Sequence, residues 1–172
     1  MSLRPERPRA RTVARALAVD ALCPPTAGNA YRGSRIALAA FAVLTLVTLI
    51  RSAIHLFAPD GGAQSIATIP LDAYGDAAAA TVTHVFGLWG LSQLLVGLVY
   101  VVVLWRYRSL VPLMFLLMVL EYAIRLGLAF AKPLETVGTA PGAVGNWLMV
   151  PIAVVLLLLS LRSGDEGRGA RG

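Results

Sequence analysis

The sequence predicts an all-α integral membrane protein, a four-helix bundle with both termini on the cytoplasmic side. Three observations predict it: a composition too apolar for water, four apolar stretches of spanning length, and a one-sided distribution of arginine. The 172 residues are 58% apolar and 14% charged, with a mean hydropathy of +0.74. Soluble domains carry about 45–50% apolar and about 25% charged residues, so this chain lacks the polar surface to cover itself in water. A soluble domain is excluded. The net charge is +6, yet the basic residues flank apolar runs instead of forming one face. That argues against a nucleic-acid partner and makes membrane lipids the first one.

In chain order, residues 1–34 read as a cytoplasmic tail rich in Arg and Pro. The segment is broken up by charge, lacks the apolar run of about 7–15 residues that a signal peptide needs, and holds too little apolar surface to offset its ordering entropy. It is expected to be disordered, with a short amphipathic stretch across Val13 to Leu22. The transmembrane domain is expected over 35–162, with spans at about 36–57, 77–105, 110–131 and 143–161. A hydrocarbon core of about 30 Å needs about 20 helical residues, and lipid leaves no partner for exposed backbone groups, so lengths near 20 select helices. Residues 163–172 form a second cytoplasmic tail.

Orientation follows from the basic residues, because cytoplasmic segments retain them. One side holds Arg4, Arg7, Arg9, Arg11, Arg15, Arg32 and Arg35 before the first span, Arg106 and Arg108 between the second and third, and Arg162, Arg168 and Arg171 at the end. The other side has only Lys132, and its first loop is acidic, with Asp60, Asp72 and Asp76. An even number of spans puts both termini in the cytoplasm of a cell with an inner membrane, in agreement with that count.

The connections have their own chemistry. Arg106 to Ser109 is so short that the second and third spans are expected to be antiparallel neighbours in a tight hairpin, with Pro112 harmless in a first helical turn. The outer loop at 58–76 carries the turn signal Pro59-Asp60-Gly61-Gly62 and is expected to fold back over the bundle mouth. The second outer loop, 132–142, reads as irregular. Gly87, Gly90 and Gly97 are expected to let helices approach closely, and Trp89, Trp105, Tyr107 and Trp147 to anchor at the membrane interfaces.

The informative residues are the ionisable ones inside the spans, each costing about 2.5–3.5 kcal/mol at the bilayer centre on insertion scales. At about 1.5 Å per residue, Arg51 and Arg125 each lie roughly 22 Å from the cytoplasmic start of their spans. Glu121 falls one turn deeper, and His55 and His84 nearer the outer surface. Arg51 and His55 stand at i, i+4, as do Glu121 and Arg125, so each pair shares a helix face. If both faces point inward, a polar pocket opens outward, with Gln93, Tyr122 and Asn146 at its floor or rim. The formal charge of Arg51, Glu121 and Arg125 is +1, so one arginine is left to seek an anion, for which guanidinium offers a planar fork of donors. The competing reading is structural: Glu121 bonds Arg125 within its helix, and Arg51 snorkels or shares the same carboxylate. A third leaves the two faces apart.

Other chemistry is sparse. His55 and His84 could in principle grip a haem b from two helices, a minor reading beside capping or hydrogen bonding. No metal-ligand cluster exists, Cys23 is alone, and neither a nucleophile elbow around Ser65, Ser92 or Ser109 nor calcium-loop spacing among the loop aspartates occurs.

The segments FAPDGGA (57–63), FGLWGLSQLLVGL (86–98) and LEYAIRLG (120–127), set in four compact helices, resemble small bacterial membrane proteins of the DoxX-like group over about residues 36–161. The resemblance is architectural; it implies a four-helix membrane fold and, because that group includes quinol-linked oxidase subunits, adds quinone to the cofactor alternatives. No cofactor at all is the simplest expectation. The sequence thus favours a binding or accessory role over an enzyme, with an outward-facing pocket for a small or lipidic anion and a membrane-protein partner or second copy as companion. The alternatives are a quinone- or haem-linked oxidoreductase component and a small transporter, which with no internal repeat would have to work as an oligomer.

Overall fold

The computed structural model describes residues 19–162. The amphipathic stretch expected to start at Val13 therefore lies partly outside the described residues, and the tail at 163–172 entirely so. Among the described residues the regular structure is all helical, with four helices long and apolar enough to cross a membrane: α1 (Arg35–Phe57), α2 (Asp76–Arg106), α3 (Val111–Ala131) and α4 (Pro141–Leu161). Each expected span is recovered to within two residues at either end.

The ends follow local chemistry. Ser34 caps α1, its hydroxyl accepting from the Ile36 N–H at 3.2 Å. Gly75 precedes α2 with Asp76 in the first turn, where a carboxylate meets the positive end of the helix dipole. Proline opens α3 and α4, at Pro112 and Pro141, where its missing N–H has no intrahelical role.

The helices associate as two pairs, α1 along α2 and α3 along α4, and these are the most extensive interfaces. The expected tight hairpin of the second and third spans is corrected: α2 and α3 are joined by the short corner at Tyr107 and the 3-10 turn Arg108–Leu110, but touch little along their lengths. The reason lies in the glycines. A Cβ on Gly90 would stand 2.8 Å from His55 Cβ and from the Leu56 backbone nitrogen, and one on Gly97 would stand 2.8 Å from Leu49 Cδ2. These two positions commit α2 to α1, and the connection follows.

The main core lies toward the end of the bundle that carries the chain termini. Phe41 of α1 sits between Tyr100 of α2 and Phe115 of α3, with ring centroids 5.3 and 5.5 Å away. Ala37, Val111, Met114, Met118, Ala153 and Leu156 close around them. The chain ahead of α1 laces this end together. Gly28 and Ser109 exchange bonds, the Gly28 N–H to the Ser109 hydroxyl at 2.9 Å and the Ser109 N–H to the Gly28 carbonyl at 3.0 Å, while the Ser34 N–H donates to Leu159 at 3.1 Å. The disorder expected for 1–34 therefore does not extend over 28–34, because these bonds are made largely by backbone, which composition does not register.

At the opposite end, the first loop folds back as expected. The Asp60 carboxylate accepts the N–H groups of Gly62, Gln64 and Ser65 at 2.8, 3.0 and 2.7 Å, and the Ser65 hydroxyl at 3.1 Å. Burial alone would raise its pKa, but these donors outweigh it and bring the carboxyl from 3.8 down to about 2. Gly61 and Gly62 turn the chain at φ of 60° and 75°, a region open to glycine without steric cost. Ala63, Ile69 and Leu71 then bury themselves against Ala79, Val82 and Phe86 of α2. Thr68, at φ 57°, ties the two loops: its carbonyl accepts the Val137 N–H and its hydroxyl donates to the Gly138 carbonyl, both at 3.0 Å.

Candidate functional site

Between the termini-end core and the loops, three helices contribute to one polar cluster. Arg51 lies two turns from the end of α1, and its Nη2 donates to Gln93 Oε1 at 2.8 Å. Gln93, on α2, passes the connection on through Nε2 to Glu121 Oε1 of α3 at 3.1 Å. Arg125, one turn further along α3, donates from Nη1 to the same Oε1 at 2.9 Å. An amide suits the middle position because it accepts at one atom and donates at the other. The two charged faces do meet, therefore, and Glu121 bonds Arg125 within its helix as the structural reading supposes. Arg51 reaches the carboxylate only through Gln93.

Trp89, one turn from Gln93 on α2, underlies both cations. The Arg125 guanidinium carbon is 4.8 Å from the indole centroid and that of Arg51 is 5.8 Å away, within the range of cation–π attraction. Tyr122 adds a ring 5.7 Å from Arg125. Trp89, expected as an interface anchor, packs within the bundle: Phe86, Trp89 and Gln93 recur at helical spacing on one face of α2, and that face meets the α1 polar residues. The spacing was the available signal, and it becomes readable once α2 is known to lie along α1.

His55 completes the stack above Trp89, with ring centroids 4.5 Å apart and Phe86 at 5.8 Å on another side. Its Nδ1 lies 2.7 Å from the Gly61 carbonyl. A carbonyl can only accept, so Nδ1 donates in this contact. His55 is 5% exposed. His84 lines the same groove of about 320 Å³ between α1 and α2 but is itself exposed and outside the polar cluster. Asn146, half-buried on α4, makes no side-chain hydrogen bond among the described residues and does not line the central cleft.

The buried hydroxyls nearby are satisfied within α1: Thr45, Thr48 and Ser52 each donate to the carbonyl four residues back at 2.6–2.8 Å, a common resolution for hydroxyls in apolar helices. Arg51 Nε is different. It is buried and has no hydrogen-bond partner in the structure, although buried donors are nearly always paired. Arg51 itself lines a cleft together with Thr48, Gln93, Tyr100, Glu121 and Tyr122 among others. This cleft has room for about 20 Å³, enough for one water or one anion oxygen.

That geometry bears on the cofactor alternatives. A quinone ring does not fit that space. A haem would need the His55 ring to approach an iron, and that ring is packed against Trp89 and Phe86 under the Gly61 turn. Among the described residues no group of three or more His, Cys, Asp and Glu side chains could hold a metal ion.

No family model, curated protein or solved structure matches the chain.

Proposed function

We propose that this chain is a multi-pass inner-membrane protein, with both termini cytoplasmic, that binds a small or lipidic anion at Arg51 in the outer half of its bundle. It acts as a binding or accessory component and not as an enzyme. The one-sided arginine distribution supports the orientation, and four spanning-length helices support the membrane. The single observation that carries the function is Arg51 Nε, a buried and unpartnered donor on a residue that lines the cleft and belongs to a cluster with Glu121 and Arg125 whose fixed charges sum to +1. A guanidinium keeps its charge in any surroundings, so the unfilled donor invites an acceptor that is itself negative.

Native mass spectrometry of the detergent-purified protein tests this. The wild type should retain an anionic adduct, and Arg51→Ala and Arg125→Ala should each lose it while keeping wild-type helicity. A wild type that carries no anion, or an adduct indifferent to both substitutions, contradicts the reading.

A second reading has its own observation. Gln93 joins α2 to Glu121 of α3 across an interface that is otherwise thin, so the cluster also serves as a tie between the two helix pairs. Gln93→Leu should then loosen the pairs, lowering the melting temperature, without abolishing the adduct.

A further inference from the structure

On the reading that Arg51 binds an anion, we infer that the anion is a phosphate carried on a lipid, which reaches the guanidinium sideways from the bilayer and not from the water above the bundle.

The route from above is filled. The turn at Gly61 and Gly62 lies directly on His55, so that a Cβ on Gly62 would stand 3.2 Å from His55 Nδ1. His55 lies on Trp89, and Trp89 lies against both guanidiniums. Higher still, Thr68 clasps the second loop through Val137 and Gly138. A soluble anion arriving along the bundle axis would meet a carbonyl, an imidazole and an indole stacked in turn.

The flank is open. Val47 of α1 lines the cleft and is 52% exposed. The side chains of Arg125 and Glu121 are 22% and 28% exposed, although they lie six and ten residues inside the end of α3 at Ala131, roughly 9 and 15 Å along the helix. Ile124 and Leu128, each three residues along the same helix from one of them, are exposed, an apolar surface suited to lipid chains. Polar groups at spanning depth otherwise face a bundle interior or water, so a partly uncovered ion pair beside an orphan donor calls for a polar lipid part. An arginine fork matches phosphate oxygens, and the cleft has room for one such oxygen while the rest of the headgroup stays outside it against the helix flank.

Trp89 provides the reporter. In a Trp105→Phe, Trp147→Phe background it is the sole tryptophan, and in phosphatidylcholine nanodiscs its fluorescence is titrated with brominated phosphatidylglycerol or brominated phosphatidylcholine. Phosphatidylglycerol should quench at roughly tenfold lower mole fraction, the size expected for one charge-assisted hydrogen-bonded contact. Arg51→Gln should bring that preference close to one, and Arg51→Lys, which keeps charge but loses the fork, should leave it in between. To close the top, Thr68→Cys and Gly138→Cys are combined with Cys23→Ser. The Cβ positions are 3.9 Å apart, inside the disulfide range of about 3.5–4.5 Å.

Closing this clasp should leave the phosphatidylglycerol preference unchanged, and inorganic phosphate should not compete. If inorganic phosphate displaces the lipid and the closed clasp prevents that displacement, the anion comes from water. The lateral inference then fails while anion binding stands. If neither anion shows any preference in the wild type, which needs no folded variant to establish, anion binding itself fails and the inference with it.

Discussion

The two ends of this bundle are built on opposite principles. At the termini end, Phe41, Tyr100 and Phe115 interlock and the chain at 28–34 is stitched across the helix ends by backbone hydrogen bonds. At the loop end, the same helices carry two arginines, a glutamate, a glutamine and two histidines, and most of the outward turns of α3 and α4 are exposed. Where association in lipid is driven by packing and not by water, the first arrangement holds the helices together. The second spends that possibility on polar groups, one of which has no partner. The difference teaches that the large aromatic core gathers at one end of the bundle and the polar cluster lies toward the other.

The strongest way to break the comparison is at the secure end. Phe41 is fully buried, and Phe41→Ala should cost about 3 kcal/mol, seen as a lowered midpoint in thermal or denaturant unfolding in detergent. A loss well under 1 kcal/mol would mean that the aromatic trio does not anchor the bundle. Next in size is the seam between the ends. Gly90→Ala places a methyl against the backbone of Leu56 and the β-carbon of His55, neither of which can swing away. A cost of about 1–3 kcal/mol is expected, together with a disturbed Trp89 emission, because His55 shifts with its backbone. Gly87→Ala is the control, since the nearest atom there is the His55 carbonyl oxygen at 4.0 Å.

The smallest effect is confined to the loop end. The folded pKa of Asp60 lies near 2, below its ordinary 3.8, so its contribution is complete above pH 3.8 and is lost as pH falls from there toward 2. Hydrogen-exchange protection factors over residues 58–75, taken relative to the intrinsic rate at each pH, should fall in that window while the core helices stay protected. Asp60→Asn should show the lower protection at neutral pH and lose its acid dependence.

How much of this could be read in the sequence depended on the type of signal. The four long apolar helices were legible because their length and polarity read directly from the sequence, and Pro112 marked one start. The i, i+4 pairs Arg51/His55 and Glu121/Arg125 were legible because helical spacing alone puts each on one face. Which helix lies beside which was not. α2 is apolar around its whole circumference, so periodicity points to no packing face, and a short connection suggested the wrong neighbour. That error hid Trp89, whose function depends on α2 facing α1. Gln93 was within sight as a polar residue in an apolar helix, but its place between Arg51 and Glu121 needed the same pairing. The strap at 28–34 was invisible because it is made chiefly of backbone groups in a stretch whose composition reads as disordered.

The central claim, that Arg51 is kept for a ligand and not for the fold, is tested most directly by Arg51→Leu. Replacing a buried charge by a packed apolar side chain is often neutral or stabilising where the charge has no structural purpose. In lipid-depleted detergent, Arg51→Leu should melt at or above the wild-type temperature, and it should lose the rise in melting temperature that added phosphatidylglycerol gives the wild type. A variant that melts well below the wild type without lipid, and is still raised equally by phosphatidylglycerol, would make Arg51 a structural residue and contradict the account.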